Sequence, residues 1–439
     1  MARNNVSPAR WVAFEILRKI EEGHFSSVLL ASNTAKLEPS DRALCNELVL
    51  GVLRWQLNLD HVIEHYSNRK VESLDVAALL ALRLGLYQLR FLTRVPQSAA
   101  VDESVKIVQA ARLSSARAFV NAVLRRATRE SGYDPAVEIK DPIEKISIQS
   151  SHPRWLIERW VESFGLEEAS ALSRANNETP HVAFRVIHLK ANETDVLERL
   201  RRGGISLEPS KIASGAWRTT TGSRVIRELA ETGEIYLQDE ASQLVAQVVR
   251  AGANDRVLDL CAAPGGKTSL IADQSEAFVV ASDVSRRRLA TVASSASRQG
   301  LENVSLMVID AAQQLPFRDS CFDRVLVDAP CSGTGTLRHN PEIRWRLSPD
   351  DFKGLAAQQN QFLENAARVV KSGGRLIYST CSVEKEENEE VVSLFLQRNN
   401  DFKQVPLKPE SLMTPTGALR TWPHRDGTDG FYVASFQKL

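Results

Sequence analysis

The sequence is poor in the features that mark secreted, membrane-spanning and zinc-binding proteins. Five of its 439 residues are cysteine, an odd number spread along the chain, and no Cys-x-x-Cys pair is present. This usage argues against a disulfide framework and against structural zinc. No apolar run approaches the ~20 residues needed to cross a bilayer, and the first residues lack the apolar segment of a signal peptide. We therefore expect a cytoplasmic protein with no membrane contact and no bound metal.

The charge is close to balanced over the whole chain but uneven along it. Against 55 Lys and Arg and 54 Asp and Glu in total, residues 1–130 alone carry 18 basic and 13 acidic residues, a balance of +5. A basic region favours contact with a polyanion, although a solvated helical surface explains the excess equally well. The last helix predicted in this region carries four arginines that could face phosphates: Arg117, Arg125, Arg126 and Arg129.

The length of the chain predicts roughly two to three domains, and hydrophobic periodicity suggests where the first one ends. Apolar residues at helical spacing predict an all-α bundle over residues 1–131, with a long apolar helix at Leu74–Leu92. The pattern then weakens, and Pro135 and Pro142 interrupt it. We interpret residues 132–150 as a linker.

The next stretch predicts a small α+β module over residues 151–237. Pro153 suits the first position of a helix, and the residues from Ala183 to Leu189 alternate as in a strand. A second helix is predicted near residues 194–202, where two glycines end it. Arg185 and a few other basic residues scattered through this module are more typical of a charged surface than of a ligand site.

Residues 238–439 alternate between apolar strands and helices. This alternation is typical of a doubly wound, mostly parallel α/β sheet of Rossmann-like type, in which ligands bind at the carboxyl ends of the strands. The predicted strands are Arg256–Leu260, Phe278–Ser282, Val304–Ile309, Arg324–Val327 and Arg375–Tyr378.

The first of these strands runs into a glycine-containing turn, VLDLCAAPGGKT at residues 257–268. A phosphate loop for triphosphates would need glycine at Cys261, and a dinucleotide loop needs more glycines than Gly265 and Gly266. Asp283 ends the second strand 22 residues after Cys261, near the ~20-residue offset at which an acid binds ribose hydroxyls. These features predict an adenosine cofactor without pyrophosphate, S-adenosylmethionine.

Two cysteines follow later strands of the predicted sheet. Cys331 lies in DAPCSGTG and Cys381 in YSTCS, so both should reach the cofactor edge although 50 residues separate them. A free cysteine is more often a small buried hydrophobe, and we interpret Cys45 and Cys321 in that way. The position of the other two at strand ends favours a chemical role.

A pair of thiols beside an acid suits methylation of a pyrimidine carbon. C5 of cytosine is a weak nucleophile until a thiolate adds to C6, and a base must later remove the C5 proton. Asp328 could bind the amino and ring-nitrogen edge of the cytosine, or it could simply cap a turn. Two alternatives remain. Methylation of an amino group would need no thiol, and a non-catalytic RNA-binding or antitermination factor would need neither the thiols nor the acid. The residues alone do not rank the two thiols.

Several motifs together resemble the RNA cytosine-5 methyltransferase family, also called the NOL1/NOP2/Sun family. They are CAAPGGKT (261–268), DAPCSGTGTLRHNPEIRW (328–345), YSTCS (378–382), ENEEVV (387–392) and DGFYVASFQK (429–438). The stretches RWVAFEIL (10–17), DRALCNELVLGVLRW (41–55) and FVNAVLRRA (119–127) resemble a NusB-like helical RNA-binding domain. Within this family such a domain marks the bacterial enzyme that modifies one cytosine of small-subunit (16S) ribosomal RNA, and it disfavours transfer RNA as substrate.

The resemblance also implies roles for particular residues. Cys381 would be the nucleophile and Cys331 would assist product release. Asp283 would bind the ribose, Asp310 would lie near the adenine, and Asp328 would lie between cofactor and base. The implied partner is 16S ribosomal RNA, unassembled or in an early intermediate, bound by a monomer. The loop that would hold S-adenosylmethionine consists of Cys261, Ala262, Ala263, Pro264, Gly265, Gly266 and Lys267.

Overall fold

The computed structural model describes residues 6–439, and its contacts separate the chain into two units. The first unit comprises Met1–Glu178 together with Leu337–Arg346. The second comprises Thr179–Thr336 and Leu347–Leu439. No helix among residues 6–439 is both long and apolar enough to span a membrane.

The main chain of the first unit forms ten α-helices within residues 6–178. They are α1 (Pro8–Glu21), α2 (Ser26–Asn33), α3 (Pro39–Arg54), α4 (Gln56–Ser67), α5 (Val76–Phe91), α6 (Gln97–Ala110), α7 (Arg117–Arg129), α8 (Pro142–Ser150), α9 (Arg154–Phe164) and α10 (Leu166–Ala175). Helix α5 is buried continuously from Leu80 to Gln88, so it forms the centre of the bundle. Gly51 of α3 permits its close approach, because a Cβ there would lie 2.0 Å from the ring of Tyr87. The predicted helical N-terminal bundle is confirmed.

The second unit begins with a four-stranded antiparallel sheet in the order β2-β3-β1-β4. Two helices share its core, in which Phe184, Leu200 and Leu229 are fully buried. The predicted α+β module is confirmed. Its elements are β1 (Val182–Val186), α11 (Glu193–Arg202), β2 (Glu208–Pro209), β3 (Ala216–Thr219), α12 (Arg224–Thr232) and β4 (Ile235–Leu237).

The larger sheet of the second unit has the order β10-β12-β9-β8-β5-β6-β7, with β11 paired to β12. Its strands are β5 (Arg256–Asp259), β6 (Phe278–Asp283), β7 (Val304–Val308), β8 (Phe322–Asp328), β9 (Val370–Thr380), β10 (Phe402–Gln404), β11 (Leu419–Arg420) and β12 (Tyr432–Lys438). The remaining helices are α13 (Glu240–Val248), α14 (Gly266–Gln274), α15 (Arg286–Gln299), α16 (Ile343–Arg346), α17 (Asp351–Val369), α18 (Glu389–Arg398) and α19 (Pro423–Asp426).

Strands β5 to β9 are mutually parallel, and successive residues along them pack into cores on opposite faces of the sheet. Leu258 and Val325 belong to one apolar cluster, whereas Val257 and Leu326 belong to the other. This arrangement confirms the predicted Rossmann-like, doubly wound domain. The antiparallel strands β10, β11 and β12 were not predicted.

Arg185 joins the small sheet to the large one within the second unit. This buried residue of β1 donates from Nη2 to Ser269 Oγ of α14 at 2.8 Å and lies 3.4 Å from Asp273 Oδ2. Its guanidinium also lies 5.3 Å from the ring centroid of Tyr236 in β4. The small module is therefore anchored at the helix that follows the predicted cofactor loop.

The segment Leu337–Arg346 belongs to the helical unit although it lies between two stretches of the second unit. Its fully buried Arg344 donates from Nη1 to Ser151 O at 3.1 Å and to Asn177 Oδ1 at 3.0 Å. The indole of Trp345 donates to Leu53 O at 2.8 Å. These long-range bonds build the segment into the core of the first unit.

Three sequence predictions need correction. Residues 142–150, interpreted as linker, form α8, because Pro142 occupies the first turn and Asp141 caps the helix by accepting from Ile143 N at 3.0 Å. Pro153 precedes α9 as its N-cap instead of starting it. The strand expected to reach Leu189 ends at Val186. The domain boundaries after residues 131, 150 and 237 stay predictions.

We predict that Arg344→Ala lowers the free energy of unfolding by about 3 kcal/mol, because buried acceptors left without a donor cost roughly 1–3 kcal/mol each. Arg344→Lys should recover little of this loss, since an ammonium lacks the planar fork of donors. Chemical unfolding measures both changes. The exposed Arg129→Ala serves as control, and an equal loss in that variant would contradict a specific role for Arg344.

Candidate active site

The parallel strands bring the predicted site residues to one edge of the large sheet. In the spatial order of the strands, Asp310 follows β7, Asp283 ends β6, Cys261 follows β5, Asp328 ends β8 and Cys381 follows β9. Neighbouring strands in a parallel sheet end at the same edge, so residues distant in sequence become neighbours. Among residues 6–439, no group of three or more His, Cys, Asp and Glu side chains is arranged to hold a metal ion.

The predicted cofactor loop borders a cavity of about 120 Å³. The cavity is lined by Tyr236, Leu237, Gln238, Ser242, Asp259, Cys261, Ala262, Ala263, Pro264, Gly266, Lys267 and Asp328. Gly265 turns the chain into α14 with φ of +105°, and a Cβ on it would lie 3.2 Å from Val292. Two buried acceptors in the lining, Gln238 Oε1 and Asp259 Oδ1, have no hydrogen-bond donor. The lining thus offers acceptors that a ligand with N–H groups can satisfy.

Asp259 is an acid at the end of an otherwise apolar strand. It is fully buried and accepts one hydrogen bond from Thr268 Oγ1 at 2.6 Å. Burial raises the pKa of Asp259 to about 7, and the hydrogen bond from Thr268 opposes this shift only in part. The carboxyl therefore changes its charge near neutral pH.

Asp283 and Asp310, the acids at the ends of β6 and β7, differ in their surroundings. Asp283 is only 3% exposed, accepts from Ser285 N at 2.9 Å and lies 3.3 Å from Arg288 Nη1. Arg288 also donates to Ala263 O at 2.9 Å, so it links Asp283 to the cofactor loop. Asp310 is exposed, and its side chain accepts from Ala312 N at 2.9 Å. Of the two, Asp283 is the one already held in place beside the loop.

Lys267 and Asp328 form a short ion pair across the site. Lys267 Nζ lies 2.6 Å from Asp328 Oδ2, and Ser379 Oγ donates to the other carboxylate oxygen at 2.7 Å. The ammonium also lies 4.9 Å from the ring centroid of Phe431. Burial acts to lower the pKa of Lys267, but Asp328 and, more weakly, Cys381 raise it above its usual value. Lys267 therefore remains a cation within the site.

The two predicted thiols are in direct contact. Cys331 Sγ lies 3.2 Å from Cys381 Sγ, although the residues are 50 positions apart. The hydrogen bond with Cys381, burial and the nearby negative charges raise the pKa of Cys331 well above its usual value. Cys331 is thereby held as a protonated thiol. Cys45 is fully buried in α3, and Cys321 precedes β8 away from this pair.

Sequence reasoning did not assign roles to Asp259, Gln238, Ser379 and Glu387. Asp259 carried a signal, because an acid within a buried apolar strand calls for a compensating interaction. Glu387 lies in the quoted motif ENEEVV, and the structure places its carboxylate against the residues that follow both cysteines. Ser379 lies in the quoted motif YSTCS, whereas Gln238 had no distinguishing signal in the sequence.

Three comparisons connect this geometry with known proteins. The 16S rRNA methyltransferase RsmB/F family matches residues 246–437, the NusB family residues 7–129, and the ferredoxin-like domain of RsmF/B-like methyltransferases residues 152–225. The probable ribosomal RNA small subunit methyltransferase B of Bacillus subtilis is 35% identical over 98% of both chains. The ribosomal RNA small subunit methyltransferase B of Pseudomonas putida is 33% identical over 93% of both. The crystal structure of PH0851 has a TM-score of 0.85 and 29% identity over 99% of each chain.

We predict that Asp259 makes the stability of the ligand-free protein fall as the pH rises towards about 7. Its pKa is raised from 3.8 to about 7 in the folded state, so between these values the folded state holds a proton that the unfolded state has lost. Relative to the wild type, Asp259→Asn should therefore gain up to about 3 kcal/mol in free energy of unfolding between about pH 5 and pH 7, at roughly 1.4 kcal/mol per pKa unit. Chemical unfolding at several pH values measures this difference. A difference that does not change with pH would contradict the prediction.

Proposed function

Because this chain belongs to the 16S rRNA methyltransferase RsmB/F family, we propose that it methylates C5 of one cytosine in small-subunit ribosomal RNA. The chain is an S-adenosylmethionine-dependent RNA methyltransferase, as its motifs predict. The observation that carries the cytosine-5 proposal is the thiol pair, with Cys331 and Cys381 3.2 Å apart at the strand ends. Methylation of an amino group would require neither thiol.

The edge of the sheet around the cofactor loop is the proposed site for S-adenosylmethionine, which when bound supplies the methyl group. The loop residues from Cys261 to Lys267, all but Gly265, line the cavity of about 120 Å³, which has room for only part of the cofactor. Asp283 and Asp310 do not line this cavity and are proposed to bind the ribose and to border the adenine beyond it. Gln238 and Asp259 fit this assignment, because both residues line the cavity and each has a buried acceptor oxygen without a hydrogen-bond donor. An ammonium group is a donor that both acceptors could bind.

We assign the nucleophile to Cys381. Its thiolate would add to C6 of the cytosine, forming an S–C6 bond and moving the C5–C6 π electrons onto C5. After C5 has gained the methyl group, a base would accept its proton, the C–H electrons would restore the C5–C6 double bond, and the S–C6 bond would break to release the Cys381 thiolate. Asp328 would bind the amino and ring-nitrogen edge of the base, held in place by Ser379 and Lys267.

The two thiols are close enough to exchange a proton, and the hydrogen bond with Cys381 and burial raise the pKa of Cys331. Cys331 would therefore assist release of the product at a distance of 3.2 Å from Cys381 Sγ. The resemblance to the cytosine-5 family implies the same assignment.

The proposed RNA contact in the helical unit is a groove of about 550 Å³ between α6 and α7. Arg117 and Arg125 are exposed on its wall and suit phosphate groups. Arg126, also predicted to face phosphates, instead donates to Tyr66 O at 3.1 Å and pairs with Glu130 at 3.0 Å. We further propose that the substrate is unassembled RNA or an early intermediate, bound by a monomer in the cytoplasm.

We predict that the purified protein with S-adenosylmethionine protects one cytosine of protein-free small-subunit ribosomal RNA from bisulfite conversion, because 5-methylcytosine resists deamination. Sequencing after bisulfite treatment locates the position, and transfer RNA serves as a parallel substrate. Protection in transfer RNA alone would overturn the proposed substrate. Labelled methyl groups incorporated without any bisulfite-resistant cytosine would overturn the proposed C5 position.

A second prediction concerns the two thiols. Cys331→Ala should accumulate a covalent protein–RNA adduct on a denaturing gel, because addition proceeds while release is slowed. Cys381→Ala should form no adduct, because the attacking atom is absent. Cys321→Ala, which changes a thiol outside the pair, is the matched control and should behave as the wild type. An adduct with Cys381→Ala and none with Cys331→Ala would reverse the two roles.

A further inference from the structure

Glu387 links the two chain segments that carry the thiols. This fully buried carboxylate accepts hydrogen bonds from Ser332 N at 2.8 Å, Ser332 Oγ at 2.5 Å and Ser382 Oγ at 2.5 Å. A fourth bond comes from Gln359 Nε2 at 2.9 Å. Ser332 directly follows Cys331, and Ser382 directly follows Cys381. One side chain therefore bonds to the neighbour of each thiol.

The position of Glu387 is itself fixed by the fold. The hydroxyl of Tyr378, a buried residue of β9, donates to Glu387 O at 2.5 Å and lies 3.0 Å from Gln359 Oε1. The next residue, Asn388, donates to Ser382 O at 2.9 Å and accepts from Thr380 Oγ1 at 2.6 Å. The carboxylate is thus a rigid support and not a mobile surface group.

The thiols need such a support because each lies beyond the end of its strand. The pairing of β8 with β9 ends at Asp328 and Ser379, three residues before Cys331 and two before Cys381. After this point Ala329 N still donates to Ser379 O at 2.8 Å, and Gly335 N donates to Cys381 O at 2.9 Å. None of these backbone bonds directly fixes the two Sγ atoms relative to each other.

We propose that Glu387 is a positioning residue for the methyl-transfer reaction, holding Cys331 and Cys381 at their mutual distance through Ser332 and Ser382. It touches neither sulfur and takes no part in bond formation. The kinetic consequence of this role rests on the proposed function. The thiol–thiol geometry does not, because it can be measured without any RNA. A displacement of about 1 Å at a reacting group can cost roughly a hundredfold in rate.

The first experiment measures the geometry of the thiols directly. Phenylarsine oxide reacts with two adjacent thiols to form two As–S bonds with release of water, and it binds a single thiol weakly. The wild type should bind the arsenical tightly, and Cys331→Ala should bind it weakly. We expect Glu387→Ala to lose at least about tenfold in affinity. Glu390→Ala removes an exposed carboxylate three residues along the chain and should bind as the wild type does.

The second experiment measures the reaction. Glu387→Ala should lower kcat for RNA methylation by roughly a hundredfold while KM for RNA changes less than about threefold, since the proposed defect is one of alignment. Glu387→Gln keeps the size of the side chain and its acceptor oxygen, so it should recover part of both the rate and the arsenical affinity. A general structural role would instead lower the melting temperature, with kcat and arsenical affinity near wild type per folded molecule.

The double variant Ser332→Ala/Ser382→Ala keeps the proposal testable if Glu387→Ala fails to fold. It removes the hydroxyl bonds to the carboxylate and should reproduce the loss of arsenical affinity. Wild-type arsenical affinity in both Glu387→Gln and this double variant would overturn the positioning role. If the wild type binds the arsenical tightly and Glu387→Ala does not, yet neither methylates cytosine, the positioning role stands and the proposed function fails.

Discussion

The parallel pairing of β8 with β9 is the constraint on which the candidate site depends. The register that pairs Val327 with Tyr378 and Asp328 with Ser379 brings two segments 50 residues apart to the same level of the sheet. Side chains alternate between the faces of a strand, so a shift of one residue would reverse them. The bond from Ser379 to Asp328 follows from this register, which also brings together the two segments that carry the thiols beyond the strand ends.

Nearby charges and burial determine which side chains at this edge of the large sheet are charged. Lys267 with Asp328 and Arg288 with Asp283 form ion pairs, so each cation has an acid beside it. Asp259 instead has a hydroxyl, Thr268, as its donor, and its pKa lies near 7 because burial dominates. A buried acid without a basic partner has a raised pKa, which a nearby cation lowers. The cavity thus contains one carboxyl whose charge depends on what lies beside it.

Local pattern predicted the strands of the parallel sheet and the residues that follow them, because each strand is an apolar run with a polar residue near its end, including the edge strand β7, which is largely exposed. Pairs far apart in sequence were not predictable in this way. The ion pair of Lys267 with Asp328 spans 61 residues, and nothing in either segment identifies the other. Helix α8 was not predicted because a proline interrupts the helical pattern of apolar residues both in the first turn of a helix and between helices. Only the cap at Asp141 shows that Pro142 lies in a first turn.

The motif from Asp328 to Trp345 is one continuous run of sequence, but its two parts belong to different structural units. Its first part, which ends at Thr336 and includes Asp328, Cys331 and Ser332, belongs to the methyltransferase unit. Its second part, from Leu337, belongs to the helical unit, where Arg344 is fully buried among backbone and side-chain oxygens of residues 151–177. A guanidinium buried in this way stabilises the helical unit only if its acceptors are held in place. Substitutions near Cys331 should therefore act on chemistry, and those near Arg344 on stability, within a single stretch that the sequence alone presents as one catalytic motif.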